Sequence, residues 1–185
     1  AAAASVMALQ SIPSRQNDPL DSLVVTVGMM NGGTKENIVC DHVELVGTVR
    51  AFNREFRNSM PERIRQVVEN VVQGYGCTAE CDYYFGPSPL INDDRELVEL
   101  AKGAAKAELG DACLRPLPKM TGAEDFSVFM EHIPGVYGYL GFKDPGSKEA
   151  VIHHHPAFDV DESILHHGAG IYVRFAVDYL EKNCG

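Results

Sequence analysis

Three consecutive histidines, His153, His154 and His155, stand immediately before Pro156 and form the densest group of chemically active side chains in the sequence. Neutral imidazole is the commonest metal ligand in proteins, and the fixed φ of proline restrains the backbone that presents it. Three acidic residues follow closely: Asp159, Asp161 and Glu162. The pattern predicts a metal-binding loop, although a solvated surface loop fits the same residues. A second pair, His166 and His167, is typical of half-exposed helix histidines rather than a second ligand set.

The segment Thr121-Gly122-Ala123-Glu124 is a second candidate site, because a glycine turn there opens a predicted helix. Backbone N–H groups at a helix start favour an anion such as a substrate carboxylate. A plain capped helix, with Glu124 reaching back to its own N-terminus, is the alternative interpretation.

Asn37 and Arg50 form the third candidate site. Arg50 lies on the polar face of a predicted strand, and its planar guanidinium suits two-point recognition of a carboxylate. A surface ion pair is the alternative interpretation of Arg50.

The composition argues against several classes of partner and of location for this protein. The 185 residues carry a formal net charge of -10, which argues against nucleic acid and against anionic membranes as partners. The longest apolar runs, such as 23–27, are far shorter than the roughly 20 residues that a membrane-spanning helix needs. The five cysteines are scattered without the short paired spacing of a structural zinc site. Reduced thiols in a cytoplasmic protein are therefore expected.

The first half of the chain is predicted to have the order α-β-β-α-β. An opening helix precedes two strands, at 23–30 and 38–52. In the second strand, apolar and polar residues alternate. A capping box at Ser59 predicts a helix over 60–73, and alternation over 78–85 predicts a third strand. This order is that of a ferredoxin-like α+β sandwich lacking its first strand. We therefore expect the chain to be an incomplete portion of a longer protein.

A cluster of Pro and Gly at residues 86–89 predicts a boundary between two domains, 1–91 and 92–185. Four elements are predicted in the second domain: a helix over 93–109 ended by Gly110, a helix from Thr121, a strand over 136–142 and a core-docking helix over 162–181.

Several motifs in order resemble one family: Leu9-Gln10-Ser11-Ile12, Asp18-Pro19-Leu20, Gly32-Gly33-Thr34, 37–41, Glu44-Leu45-Val46-Gly47-Thr48-Val49-Arg50, 122–126 and His154-His155-Pro156. The sequence resembles the aminoacylase-type metallopeptidases. Within them it is similar to the hippurate hydrolases, the N-acyl-L-amino-acid amidohydrolases and the plant indole-3-acetyl-amino-acid hydrolases.

The resemblance implies an α/β catalytic domain with an inserted lid that mediates homodimerisation. Residues 1–91 then correspond to the lid, and residues 92–185 to the C-terminal part of the catalytic domain. It also implies two divalent metal ions, zinc or manganese, bridged by a water that attacks the amide carbonyl of a small N-acyl amino acid while a glutamate acts as general base.

Site residues follow from the same resemblance. His154 corresponds to the last metal ligand of the family, while His153, where the family usually has leucine, and His155 are the alternatives. Asn37 and Arg50 match lid positions that reach the substrate. Gly122 and Glu124 match the loop that lines the carboxylate end of the substrate.

The remaining metal ligands and the paired catalytic glutamates of the family have no counterpart in this sequence. At most one metal ligand and no catalytic residue are therefore expected here. The resemblance predicts a metal-dependent amidohydrolase of N-acyl amino acids, present as its C-terminal portion and inactive by itself. A non-catalytic dimerisation or metal-binding module is the alternative function.

Overall fold

The computed structural model describes residues 1–142 and 153–184 and has a mixed α/β architecture with a small sheet. The helices are α1 (Ala2–Leu9), α2 (Arg54–Gln73), α3 (Arg95–Leu109), α4 (Phe126–Met130) and α5 (Leu165–Cys184), and the strands are β1 (Leu23–Gly32) and β2 (Val43–Ala51). A five-residue π-helical turn, Ile12–Gln16, follows α1. In the described part of the chain, no helix is long and apolar enough to cross a bilayer.

The chain divides into two compact units. The first contains Ala1–Ile91 and Lys119–Val128, and the second contains Asn92–Pro118 and Phe129–Gly185. The assignment of a lid to 1–91 and of a catalytic portion to 92–185 stays a prediction.

Strands β1 and β2 form an antiparallel hairpin in the first unit. Leu23 pairs with Ala51 at one end and Gly32 with Val43 at the other, and the register shifts between Val27 and Met29. Such a bulge adds one residue to one strand and increases the local twist. The predicted second strand was too long at its start, because the residues before Val43 belong to the loop that connects the strands.

Gly47 of β2 lies against the partner strand so closely that a Cβ at this position would collide with the Thr26 carbonyl oxygen. Gly28, at the bulge, has no atom within 4 Å of such a Cβ. We expect Gly47→Ala to lower the free energy of unfolding by about 1–3 kcal/mol, because backbone atoms must move to relieve the overlap. Urea unfolding of both variants tests this, and Gly28→Ala should unfold at the wild-type midpoint or above it. Equal midpoints for the two variants would contradict the close approach.

Helix α2 starts six residues earlier than the capping box at Ser59 predicted, because Asn53 is its N-cap and accepts a hydrogen bond from the Phe56 N–H at 2.9 Å. Pro61 therefore lies inside the helix instead of in its first turn. Proline in a helix interior costs about 3 kcal/mol or more. Burial of Met60, which is 0% exposed, helps to offset that cost. The predicted end was right, since Gly74 is the C-cap.

The core of the first unit lies between the hairpin, α1 and α2. Its buried apolar residues are Leu9, Ile12, Val25 and Met60. Partly buried side chains surround them: Leu23, Val27, Val49, Phe56, Ile64, Val67, Val68 and Tyr83. The i, i+3, i+4 spacing of Ile64, Val67 and Val68 puts them on the α2 face that packs against this cluster.

The predicted third strand, Thr78–Phe85, is wrong: this segment is irregular and pairs with no strand in the described residues. The alternation itself is present, since Cys81 and Tyr83 are partly buried while their neighbours are exposed. A period of two reports only which side chains face inward, whereas a strand also needs a hydrogen-bonded neighbour. Arg57 holds the segment instead, with its guanidinium 4.8 Å from the centre of the Phe85 ring.

In the second unit, α3 packs against α5. The predicted ends of α3 are nearly correct: Asp94 accepts hydrogen bonds from the N–H groups of its first turn, and Gly110 is the C-cap with φ 85°. Two polar contacts link the helices, an ion pair of Lys182 with Glu96 and a hydrogen bond between His167 Nδ1 and Glu108 Oε1, each at 2.9 Å. An added Cβ at Gly170 would lie 2.6 Å from the Glu108 carboxyl carbon.

Three other predictions for the second half need correction. The strand over 136–142 is not formed, because the Asn92 side chain bonds both backbone groups of Tyr137, donating to its carbonyl and accepting from its N–H at 2.8 Å each. The helix expected from Thr121 begins only at Phe126. The last helix follows a short 3₁₀ turn, Glu162–Ile164, and α5 packs against α3 with a face that is partly buried, since none of its residues is fully buried.

Candidate metal centre

The backbone at His154 is the most unusual feature of the histidine loop. His154 has φ 69°, and it is the one non-glycine residue with positive φ in the described chain. The left-handed conformation costs a residue with a side chain about 1–2 kcal/mol. Such outliers cluster at functional sites, where the surrounding structure holds them in place. The ring of His154 is exposed, and within the described residues it makes no hydrogen bond.

A turn follows His154 directly. The Phe158 N–H donates to the His155 carbonyl at 2.9 Å, which closes a four-residue turn with Pro156 at its second position, where the fixed φ of proline fits. The Ala157 N–H donates to His155 Nδ1 at 3.0 Å. Because Nδ1 accepts this bond, the hydrogen of the neutral ring lies on Nε2, which can donate a hydrogen bond to another group.

The ring of His153 lies among aromatic side chains. It stacks on Phe142 with the centroids 6.0 Å apart, and it meets the edge of Phe158 at 5.1 Å. The two phenylalanine rings are themselves 5.3 Å apart. We call Phe142, His153 and Phe158 the ring triad. The predicted metal loop therefore has three histidines in three different environments.

The acidic residues after the loop have structural roles. Asp159 accepts a hydrogen bond from the Val160 N–H, and Asp161 accepts one from the Ser163 N–H, both at 2.9 Å. Hydrogen bonds from the side chain and the backbone of Ser163 hold the pKa of Asp161 below its usual value. Asp161 caps the 3₁₀ turn that leads into α5, so its carboxylate supports the helix start.

The four residues predicted to bind substrate lie in the first unit. Asn37 is in the loop between the strands, where the Ile38 N–H closes a turn onto the Lys35 carbonyl. Arg50 is exposed on β2, and it forms no ion pair within the described residues, so the alternative of a surface ion pair is not found.

Gly122 and Glu124 lie in the segment that precedes α4. A Cβ at Gly122 would meet no atom within 4 Å. Glu124 Oε1 accepts a hydrogen bond from the Phe126 N–H at 3.2 Å, and its backbone carbonyl accepts one from the Ser127 hydroxyl at 2.7 Å. Glu124 therefore caps a helix start, as in the alternative interpretation, but it lies before the helix and accepts from a later N–H instead of reaching back from inside it.

The chain matches the family model described as peptidase family M20/M25/M40 over residues 5–178, and it belongs to this family. It is 38% identical over 160 residues to an N-acetyl-L-cysteine deacetylase of Bacillus subtilis (strain 168), covering 86% of this chain and 36% of that protein. It is 33% identical over 185 residues to an IAA-amino acid hydrolase of Arabidopsis thaliana, covering 98% of this chain and 42% of that protein.

A solved structure is also similar. The Bacillus subtilis YXEP protein, described as a dinuclear metal binding peptidase from the M20 family, superposes with a TM-score of 0.74 at 33% identity. The match covers 96% of this chain and 46% of that protein. The chain therefore spans less than half the length of each of these relatives.

A complete metal centre needs more ligands than the histidine loop supplies. In residues 1–142 and 153–184, no three His, Cys, Asp or Glu side chains are grouped so that they could hold a metal ion. A catalytic zinc site normally takes three protein ligands. The described residues do not by themselves fit a dinuclear centre, and the loop around His154 can contribute only part of one.

Proposed function

We propose that this chain is a portion of a metal-dependent amidohydrolase that cleaves the amide bond of N-acyl amino acids. The observation that carries the proposal is the family match over residues 5–178. The relatives support the substrate class, because one is named as an N-acetyl-L-cysteine deacetylase and another as an IAA-amino acid hydrolase. The native cofactor would be two divalent ions, zinc or manganese.

His154 is the proposed metal ligand of this chain. The strained backbone at φ 69° supports this choice, because strain persists where the surrounding structure enforces one conformation. The rings on either side of it have partners, His153 in the ring triad and His155 through Nδ1. Of the three histidines, His154 is thus the one whose ring has no partner among the described residues and is available to a metal ion.

Roles at the substrate site are proposed for Asn37, Arg50, Gly122 and Glu124. Arg50 is the best supported of these, because its guanidinium is exposed and forms no ion pair in the described chain, so it is available to a carboxylate. A carboxylate is present on every N-acyl amino acid. Glu124 carries the same sign of charge as that group, so its proposed role is to cap and position the loop with Gly122.

The lid proposed for residues 1–91 is expected to pair with a second copy of the chain. The hairpin supports this, because each of its two strands has an outer edge without a strand neighbour among the described residues. A cytoplasmic location is proposed from the thiols, since all five cysteines are free.

The 185-residue chain alone should hydrolyse hippurate and N-acetylcysteine no faster than a control with metal ions and no protein. The reason is that the described residues lack a ligand set. The complete gene product should hydrolyse at least one of these substrates in a metal-dependent reaction. Release of the free amino acid, measured at matched zinc and manganese concentrations, tests both statements.

Two outcomes of this assay would contradict the proposal. Metal-dependent turnover by the 185-residue chain would mean that its own residues build a site. Absence of turnover by the metal-loaded complete gene product on any N-acyl amino acid would favour the non-catalytic dimerisation or metal-binding module.

A further inference from the structure

The ring triad ties together residues that flank the strained backbone of His154. Phe142 comes from a segment before the loop, whereas His153 and Phe158 lie on either side of His154. The turn closed by the Phe158 N–H on the His155 carbonyl reverses the chain direction, so the Phe158 ring returns to the edge of His153. His154 therefore lies between a residue fixed by ring contacts and a residue fixed by the turn.

This arrangement explains how a left-handed histidine persists in an exposed loop. A residue in this conformation relaxes to a commoner one unless its neighbours are held on both sides. On the C-terminal side, the turn and the Ala157 N–H hold His155. On the N-terminal side, the contacts of the His153 ring with Phe142 and Phe158 hold His153 among the described residues.

We propose that His153 is a positioning residue for the metal ligand His154. Its ring holds the left-handed backbone of His154 through stacking on Phe142 and edge contact with Phe158, and this backbone sets the direction of the His154 imidazole. The proposal rests on the proposed function of His154. It requires a flat ring at position 153 and no change in protonation, so phenylalanine should replace histidine and alanine should not.

Zinc affinity of the complete gene product, measured by competition with a chromophoric chelator, tests the role. We expect His153→Ala to weaken zinc binding about tenfold or more, the range found when residues that orient metal ligands are removed. His153→Phe should keep the wild-type affinity. Tyr172→Ala is the matched control, since this aromatic residue of α5 is 79% exposed and is not part of the triad.

The backbone at His154 gives a second readout that needs no metal. In the 185-residue chain, a strong NOE between the amide and α protons of His154 reports positive φ. We expect this NOE in the wild type and in His153→Phe, and we expect it to weaken in His153→Ala. Thermal melts of the same samples check that each variant is folded.

The outcomes separate this inference from the proposed function. Wild-type zinc affinity in His154→Ala would overturn His154 as ligand, while the NOE would still report whether His153 holds the backbone. Loss of zinc in His154→Ala, with unchanged affinity and NOE in His153→Ala, would overturn the positioning role alone. Equal loss of zinc in His153→Phe and His153→Ala would indicate that His153 is itself a ligand. This result would also overturn the positioning role.

Discussion

Replacement of His154 by alanine should lower kcat of the complete gene product at least about a hundredfold, since loss of residues that merely orient metal ligands costs 10–100-fold. Thermal stability should change little, because the side chain is exposed and makes no hydrogen bond in the described chain. Metal content by atomic absorption, kcat and a thermal melt on the same preparation test this. Full occupancy with normal kcat would shift the ligand to His153 or His155.

His154→Gly sharpens the test, because it separates function from stability. Glycine adopts positive φ without the steric cost of about 1–2 kcal/mol that other residues bear, but it loses about 0.5–1 kcal/mol more in backbone entropy on folding, so the variant should be as stable as the wild type or more stable by up to about 1 kcal/mol. The same variant should lose the metal and the activity. A matched control is His166→Ala, which removes an exposed histidine of α5 and should leave metal content unchanged.

Met60→Ala should have the largest effect on stability. Met60 is 0% exposed and lies in the cluster with Leu9, Ile12 and Val25. Truncation of a buried methionine to alanine costs about 2–5 kcal/mol, through lost burial and the cavity left behind. That loss is a large part of the 5–15 kcal/mol typical of a folded domain. Urea unfolding followed by circular dichroism measures it.

Met7→Ala is the control for this variant, because Met7 is 75% exposed on α1. Its unfolding midpoint should stay close to that of the wild type, since a surface substitution rarely changes stability by more than about 0.5 kcal/mol. A similar loss in both variants would mean that methionine content, and not the position of Met60 in the core, determines the effect.

Elements whose signals lie in adjacent residues were predictable from sequence. Helix α3 is the best example, because Asp94 and Gly110 mark its ends within the same stretch of chain. Helix α2 was misplaced at its start, because Pro61 has the local signature of a first turn while the packing of Met60 is decided by residues far away in sequence. The strand predicted over 78–85 was wrong for the same reason. Its alternation is visible in the local sequence, whereas the presence of a neighbouring strand depends on distant residues.

The same distinction between local and distant signals applies to the candidate site. The histidines and Pro156 are visible as a motif, and Pro156 indicates the turn that brings Phe158 back. Neither the left-handed φ of His154 nor the stacking of His153 on Phe142 follows from the motif, because each depends on contacts across the loop. A capped helix start near Glu124 was an alternative from the sequence, but the helix begins at Phe126, after Glu124 and not before it.

The uneven distribution of buried side chains has a consequence for how the chain opens. Among the described residues, the first unit buries Leu9, Ile12, Val25, Met60 and Val72, whereas the apolar residues buried in the second are Leu97 and Ala104. Amide hydrogens exchange with solvent through the least costly opening that exposes them. The amides of α3 and α5 should therefore exchange through local opening, well before those at the centre of α2, whose protection should approach the limit set by global unfolding.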